Sequence, residues 1–287
     1  MRIAVLGLGA MGSRMAARLL GAGHQVSIYN RSPAPLRDLE AAGAVAGKTP
    51  RAATEGAEIV ITMVRDNEAS RAIWCDERDG ALKGLGAGAI AIESSTLTPG
   101  WVKELAAMVY KTGAGFLDAP VVGSRPQADA GQLIYLVGGD AGIFDRTRGF
   151  LSALGGATHH VGPAGAGTTL KLAVMALYGI QVAAVAELLA LLRNSGGDLA
   201  AMTEVLASLP VTSPAAKGAL SLMQAKLDAP LFPIDLAEKD FAYALAQSDA
   251  TALPMTAAGR ERFAKAKAEG LAALNITAIA RLYRSNA

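Results

Sequence analysis

Apolar and polar positions change their period once along the chain. Up to residue 162, short runs rich in Val, Ile and Leu alternate with stretches whose apolar residues recur every three or four positions. The runs predict strands over residues 3–6, 26–29, 59–63, 89–92, 115–117, 133–137 and 158–161. Between them the spacing predicts helices over 11–22, 34–42, 51–55, 99–112 and 143–154. Such alternation is the pattern of a parallel sheet covered by helices on both faces. From Gly162 onward the strand signal ends. The segment PAGAGTT forms a glycine-rich joint, a long apolar helix runs to about Arg193, and helices follow over 198–208, 213–226, 234–247, 255–269 and 277–284. Two domains are therefore expected, 1–162 and 163–287.

Composition narrows the function classes. Apolar residues make up 52% and charged residues 18%, which excludes a disordered chain. A formal charge of +2 with dispersed Lys and Arg gives no basic patch for nucleic acid. One cysteine, Cys75, allows no internal disulfide, and three histidines do not make a ligand spacing, so no metal site is expected. A reducing cytoplasm fits this usage. The N-terminal apolar run is too short for a signal segment and reads as a strand. The apolar stretch after residue 170 is uncharged only over 172–186, short of the roughly 18–20 residues a membrane span needs. It reads as a buried helix, and no membrane partner is expected.

The chemistry begins at residue 7. Gly7, Gly9 and Gly12 in GLGAMG follow the first strand and open the first helix, the context in which G-x-G-x-x-G binds a dinucleotide in a Rossmann domain. Gly7 permits the tight turn, Gly9 lets a pyrophosphate approach the backbone, and Gly12 lets helix and strand pack closely. The turn Gly7, Leu8, Gly9, Ala10, Met11 and Gly12 is expected to seat the pyrophosphate on the N-terminus of the helix it opens, where unpaired N–H groups and the dipole favour an anion. The second strand ends in Tyr29-Asn30-Arg31-Ser32. An acid there would bond the ribose of NAD; its absence, with a guanidinium suited to phosphate, selects NADP(H).

Further segments carry a resemblance over essentially the whole chain: ESSTLTPG at 93–100, DAPVVGSRPQADAGQLIYLVGG at 118–139, GAGTTLKLAVM at 165–175 and AEKDFAYAL at 237–245. With these the sequence resembles the β-hydroxyacid dehydrogenases, and is most similar to their glyoxylate/succinic semialdehyde reductase branch. The resemblance implies an α/β Rossmann domain followed by an all-α C-terminal domain, linked by a long interdomain helix, and a homodimer or homotetramer formed through the helical domain. It implies that Met63, Val64 and Thr96 lie along the nicotinamide half of the cofactor and that Lys239 reaches the cofactor. Val122, Gly123 and Ser124 would hold a substrate carboxylate, largely by backbone N–H groups. Lys171 would be catalytic.

A lysine suits hydride transfer to a carbonyl, because the oxygen gains negative charge that an ammonium can stabilise and protonate. The sequence departs from the family at two positions: Val122 stands where a serine is usual, and Met175 where an asparagine is usual. Neither replaces the lost hydrogen bond, so the expected pocket is more apolar than the family norm. The reading is an NADPH-dependent reductase of small aldehydes or keto acids, or the reverse oxidation of a β-hydroxyacid. The alternatives are an imine reductase-like enzyme and an NADP-binding module without catalysis. Trp74, Cys75, His159 and His160 are read as packing or surface residues.

Overall fold

The computed structural model describes residues 1–225, 229–248 and 252–283, which form two compact units divided after Lys171. The expected helices over 213–226 and 277–284 end at Lys226 and Arg284, which lie outside the described residues.

The first unit is built on a sheet of nine strands: β1 (Arg2–Leu6), β2 (Gln25–Tyr29), β3 (Val45–Ala46), β4 (Ile59–Thr62), β5 (Ile90–Glu93), β6 (Gly115–Asp118), β7 (Val121–Val122), β8 (Leu133–Gly139) and β9 (Gly155–Gly162). Strands β1 to β6 pair in parallel in the order β3-β2-β1-β4-β5-β6; β8 runs antiparallel to β6 and β7, and β9 pairs parallel to β8. Seven helices connect them: α1 (Gly12–Gly21), α2 (Leu36–Ala41), α3 (Pro50–Thr54), α4 (Asn67–Cys75), α5 (Pro99–Lys111), α6 (Arg125–Ala130) and α7 (Ala141–Leu151).

Alternation along each strand sends side chains to two separate cores. Ile3, Val5, Ile59, Ile61, Ile90 and Ile92 pack with Met15 and Leu19 of α1 and Phe144 and Leu151 of α7. Ala4, Leu6, Val60, Ala91 and Phe116 pack on the other face with Trp74 of α4 and Trp101, Val102 and Leu105 of α5. Burial on both faces explains why these strands read as continuous apolar runs.

Two helices and two strands lie outside the sequence expectation. Helix α4 starts where the Asp66 side chain accepts from Ala69 N–H at 2.8 Å, and Trp74 and Cys75 are its last two residues. Helix α6 is a single capped turn and a half, with Ser124 and Gln127 forming a capping box and Gly131 closing it at φ 67°. Strands β3 and β7 have two residues each, too few for alternation to show. Strand β9 is longer than expected, beginning at Gly155.

Helix α8 (Ala166–Asn194) begins in the first unit and continues in the second, where α9 (Leu199–Ser208), α10 (Pro214–Gln224), α11 (Ile234–Leu245) and α12 (Pro254–Ala266) follow. The segment expected as a final α-helix is a 3-10 helix, Ile276–Tyr283. The core of this unit centres on Phe241, stacked on Phe263 at 5.4 Å. A Cβ on Gly179 would stand 2.4 Å from the Phe241 ring and one on Gly259 2.9 Å from it, so these glycines allow the helices to close around it. By length and composition α8 is apolar enough to cross a membrane, with 44% of its most apolar window buried in protein.

Candidate functional site

Register aligns the functional segments. Across the parallel strands, Tyr29 pairs with Leu6, Leu6 with Thr62, Thr62 with Glu93 and Glu93 with Asp118. The C-terminal ends of β2, β1, β4, β5 and β6 thus form one row. The chain leaves that row into Asn30-Arg31-Ser32, the Gly7–Gly12 turn, Met63-Val64, Ser95-Thr96 and the segment leading to Val122. The β1/β4 boundary, where connections diverge to either side, is where ligands bind in open parallel sheets.

The glycine turn has the shape a dinucleotide needs. Gly7 adopts φ 92°, and a Cβ there would stand 2.4 Å from the Met63 carbonyl oxygen; one on Gly12 would stand 1.9 Å from the Gly7 carbonyl oxygen. A Cβ on Gly9 would meet no atom within 4 Å. The first and third glycines answer to the protein's own packing, and the second leaves room for a ligand. No side chain caps the N-terminus of α1 and its first turn carries no acid, so the dipole end is open to an anion. A cavity of about 970 Å³ borders the turn at Gly9, Ala10 and Ser13, with Arg14 and Arg125 on its wall.

Asn30 connects two of these segments. Its side-chain oxygen accepts from Leu8 N–H at 2.9 Å, and its amide donates to the Ser32 carbonyl at 2.9 Å and the Ser32 hydroxyl at 3.0 Å. Asn30 therefore locks the loop to the turn and leaves exposed Arg31 at its tip.

The next two strand ends are joined by a buried network that the sequence analysis missed. Glu93 is 1% exposed. Its Oε2 accepts from Ser70 Oγ at 2.8 Å and Trp74 Nε1 at 3.0 Å, and its Oε1 accepts from Ser95 N–H at 3.1 Å. Ser95 Oγ in turn accepts from Val64 N–H at 2.8 Å, so Val64 and the Ser95-Thr96 segment are held together. Burial pushes the Glu93 carboxyl above its ordinary range, with the hydrogen bonds from Ser95, Ser70 and Trp74 opposing it. Trp74 packs as expected, and it also anchors this carboxylate.

Val122 is half-buried on β7, and Gly123 adopts φ 124°, open to a glycine alone. Ser124 N–H donates to Gln127 Oε1 at 2.9 Å, so the backbone donor expected to face a carboxylate is engaged by the cap of α6. Lys171 lies in the second turn of α8 and is 7% exposed. The first turn of that helix is held by Asp118, at the end of β6, which accepts from Gly165 N–H and Thr168 N–H. Burial raises the Asp118 carboxyl, and these hydrogen bonds oppose the shift.

Two expected site residues belong to the second unit. Met175 is half-buried, one turn beyond Lys171 along α8. Lys239 is on α11, its side chain 14% exposed, with Nζ 3.0 Å from Asp240 Oδ1 and 4.8 Å above the centre of the Tyr243 ring. Adjacent helical residues point apart at Cβ, but the long lysine stem brings its ammonium back to the carboxylate.

Residues 2–162 match the family described as the NAD binding domain of 6-phosphogluconate dehydrogenase. Residues 165–283 match the one described as NAD-binding of NADP-dependent 3-hydroxyisobutyrate dehydrogenase. The chain is 35% identical over 300 residues to a 3-hydroxyisobutyrate dehydrogenase of Pseudomonas aeruginosa, covering 98% of each. It is 31% identical over 281 residues to glyoxylate/succinic semialdehyde reductase 2 of Arabidopsis thaliana, covering 96% of this chain and 78% of the relative. Among solved structures, 3-hydroxyisobutyrate dehydrogenase of Mycobacterium tuberculosis with L-serine aligns with a TM-score of 0.88 at 28% identity, covering 99% of both chains.

Proposed function

The chain belongs to the β-hydroxyacid dehydrogenase family, and from that premise we propose an NADPH-dependent oxidoreductase that reduces a small aldehyde or keto acid, or oxidises a β-hydroxyacid, with Lys171 as general acid and base. The observation that carries this reading is a nearly buried lysine on a helix anchored to the same row of strand ends that bears the open glycine turn.

The bound dinucleotide supplies the hydride. Residues 1–162 bind it: Gly7, Leu8, Gly9, Ala10, Met11 and Gly12 receive the diphosphate, and Arg31 and Ser32, in the loop fixed by Asn30, take the 2′-phosphate. Met63, Val64 and Thr96 border the nicotinamide half, and Lys239 is proposed as a further cofactor-binding residue. Val122 and Gly123 hold the substrate's carboxylate through backbone N–H groups, Ser124 contributes through its place at the α6 cap, and Met175 gives the substrate an apolar contact. Lys171 stabilises the developing oxyanion and donates the proton; in the reverse direction it accepts one. No metal takes part in this scheme.

The helical part also forms a homodimer or homotetramer. Leu177, Leu188 and Leu191 are exposed along one face of α8, at spacings of eleven and three residues, and Val205 and Leu209 are exposed nearby in sequence. The same reading places the enzyme in the cytoplasm.

The test is turnover with NADPH of glyoxylate, succinic semialdehyde and tartronate semialdehyde, and with NADP⁺ of 3-hydroxyisobutyrate. Reaction of at least one is expected; none above background would overturn the assignment. Val122 and Met175 favour a second reading, reduction of a cyclic imine in an apolar pocket, which would be established if an imine outpaced every aldehyde. Tight NADPH binding with no turnover of either class would leave a binding module.

A further inference from the structure

Asp118 is fully buried, and both of its carboxylate oxygens serve one helix end. Oδ1 accepts from Gly165 N–H at 2.8 Å; Oδ2 accepts from Thr168 N–H at 2.7 Å and from Thr168 Oγ1 at 2.9 Å. Gly165 immediately precedes α8 and Thr168 is its third residue. These are the positions whose N–H groups lack partners inside a helix and are ordinarily served by a neighbouring capping side chain. Here the cap comes from a strand end 47 to 50 residues earlier, and it brings a carboxylate to the positive end of the helix.

The surroundings are built to let the helix come this close. A Cβ on Gly138 would stand 2.4 Å from Asp118 Oδ1 and 2.9 Å from the Gly167 nitrogen, and a Cβ on Gly167 would stand 2.2 Å from the Leu136 carbonyl oxygen. Any side chain at either glycine would push α8 off the ends of β6 and β8. Lys171 is three residues beyond Thr168 and so lies on the same helix face, one turn on.

We infer that Asp118 is a positioning residue for the reaction: by clamping the first turn of α8 it sets where Lys171 stands relative to the strand ends. The inference rests on the role of Lys171 proposed above. A displacement of about 1 Å at a reacting group can cost on the order of a hundredfold in rate, so a tight anchor has a catalytic consequence that a general stabiliser lacks. Asp118→Asn keeps the shape but turns an amide toward donors, loosening the clamp.

The experiment is a double-mutant cycle on single-turnover oxidation of NADPH, with the substrate that turns over fastest, comparing Asp118→Asn alone and in a Lys171→Met background. The expected result is a loss of roughly thirtyfold or more with Lys171 present and of less than about threefold without it, with NADPH affinity within about twofold. A loss of equal size in both backgrounds, a rate near wild type for Asp118→Asn, or a loss explained by weaker NADPH binding would overturn the inference. Should Asp118→Asn fail to fold, Thr168→Val and Thr168→Ser make the same comparison. Val should slow the step only when Lys171 is present, and Ser, which keeps the hydroxyl, should restore it; equal rates for the two would overturn the inference. A wild-type rate for Lys171→Met would instead remove the proposed catalytic role, a result distinguishable from failure of Asp118 alone.

Discussion

Arg31 and Asn30 divide the work at the end of β2. The asparagine is consumed by Leu8 and Ser32, while the guanidinium stands exposed where an NAD-selective site would carry an acid. Arg31→Ala should weaken NADPH by about 1.5–3 kcal/mol, the range for hydrogen bonds to charged groups, and leave NADH nearly unchanged. Fluorescence titration of both cofactors checks this; equal losses would mean that Arg31 does not read the 2′-phosphate. The glycines could be found in the sequence because they belong to a short local pattern, whereas Lys171 is singled out by the resemblance carried by GAGTTLK and its role is the proposal under test. Glu93 and Asp118 could not be found, because apart from Ser95 beside Glu93 their partners lie 19 to 50 residues away and only the sheet register brings them to the row of strand ends. The ESS and DAP segments were visible as motifs, but the job of each acid was not. Ser124 shows the converse: its motif suggests a free donor, and the fold assigns that donor to Gln127.

The β1-turn-α1 element gives a contrast between neighbouring glycines. Gly12→Ala drives a methyl into the Gly7 carbonyl and should cost about 2–3 kcal/mol, lowering Tm by about 5–10 °C. Gly9→Ala meets no protein atom and should leave Tm almost unchanged while weakening NADPH about tenfold or more. Equal effects of the two on Tm would contradict the assignment of Gly9 to the ligand. The strand ends add a pH dependence. Burial raises Glu93 from an ordinary 4.5 and Asp118 from 3.8. Above those values the folded protein therefore holds more protons than the unfolded chain, and stability falls as pH rises until the folded carboxyls have also ionised. Glu93→Gln should flatten that descent, measured as Tm against pH from 4.5 upward; an unchanged slope would contradict it. Long elements with a clear period were readable in the sequence. Strands β3 and β7 were not, because two residues cannot show alternation, and helices α4 and α6 were passed over although the Asp66 and Ser124 caps marked their starts.

For the molecule as a whole, the change from a sheet with helices to helices alone was readable from the change of period. The division after Lys171 places the catalytic candidate at the last residue of the first compact unit, on a helix that continues into the second. If the exposed leucines of α8 join subunits, Leu191→Asp should shift the protein toward monomer in analytical ultracentrifugation; an unchanged mass would exclude that face. The central claim, a proton donated by Lys171 during NADPH-dependent reduction, is tested most directly by comparing Lys171→Met with Lys171→Ala. Both should bind NADPH nearly as wild type and lose about a hundredfold or more in kcat, to equal extents, since methionine keeps the apolar stem and removes only the ammonium. Near-normal turnover by Lys171→Met would contradict the account.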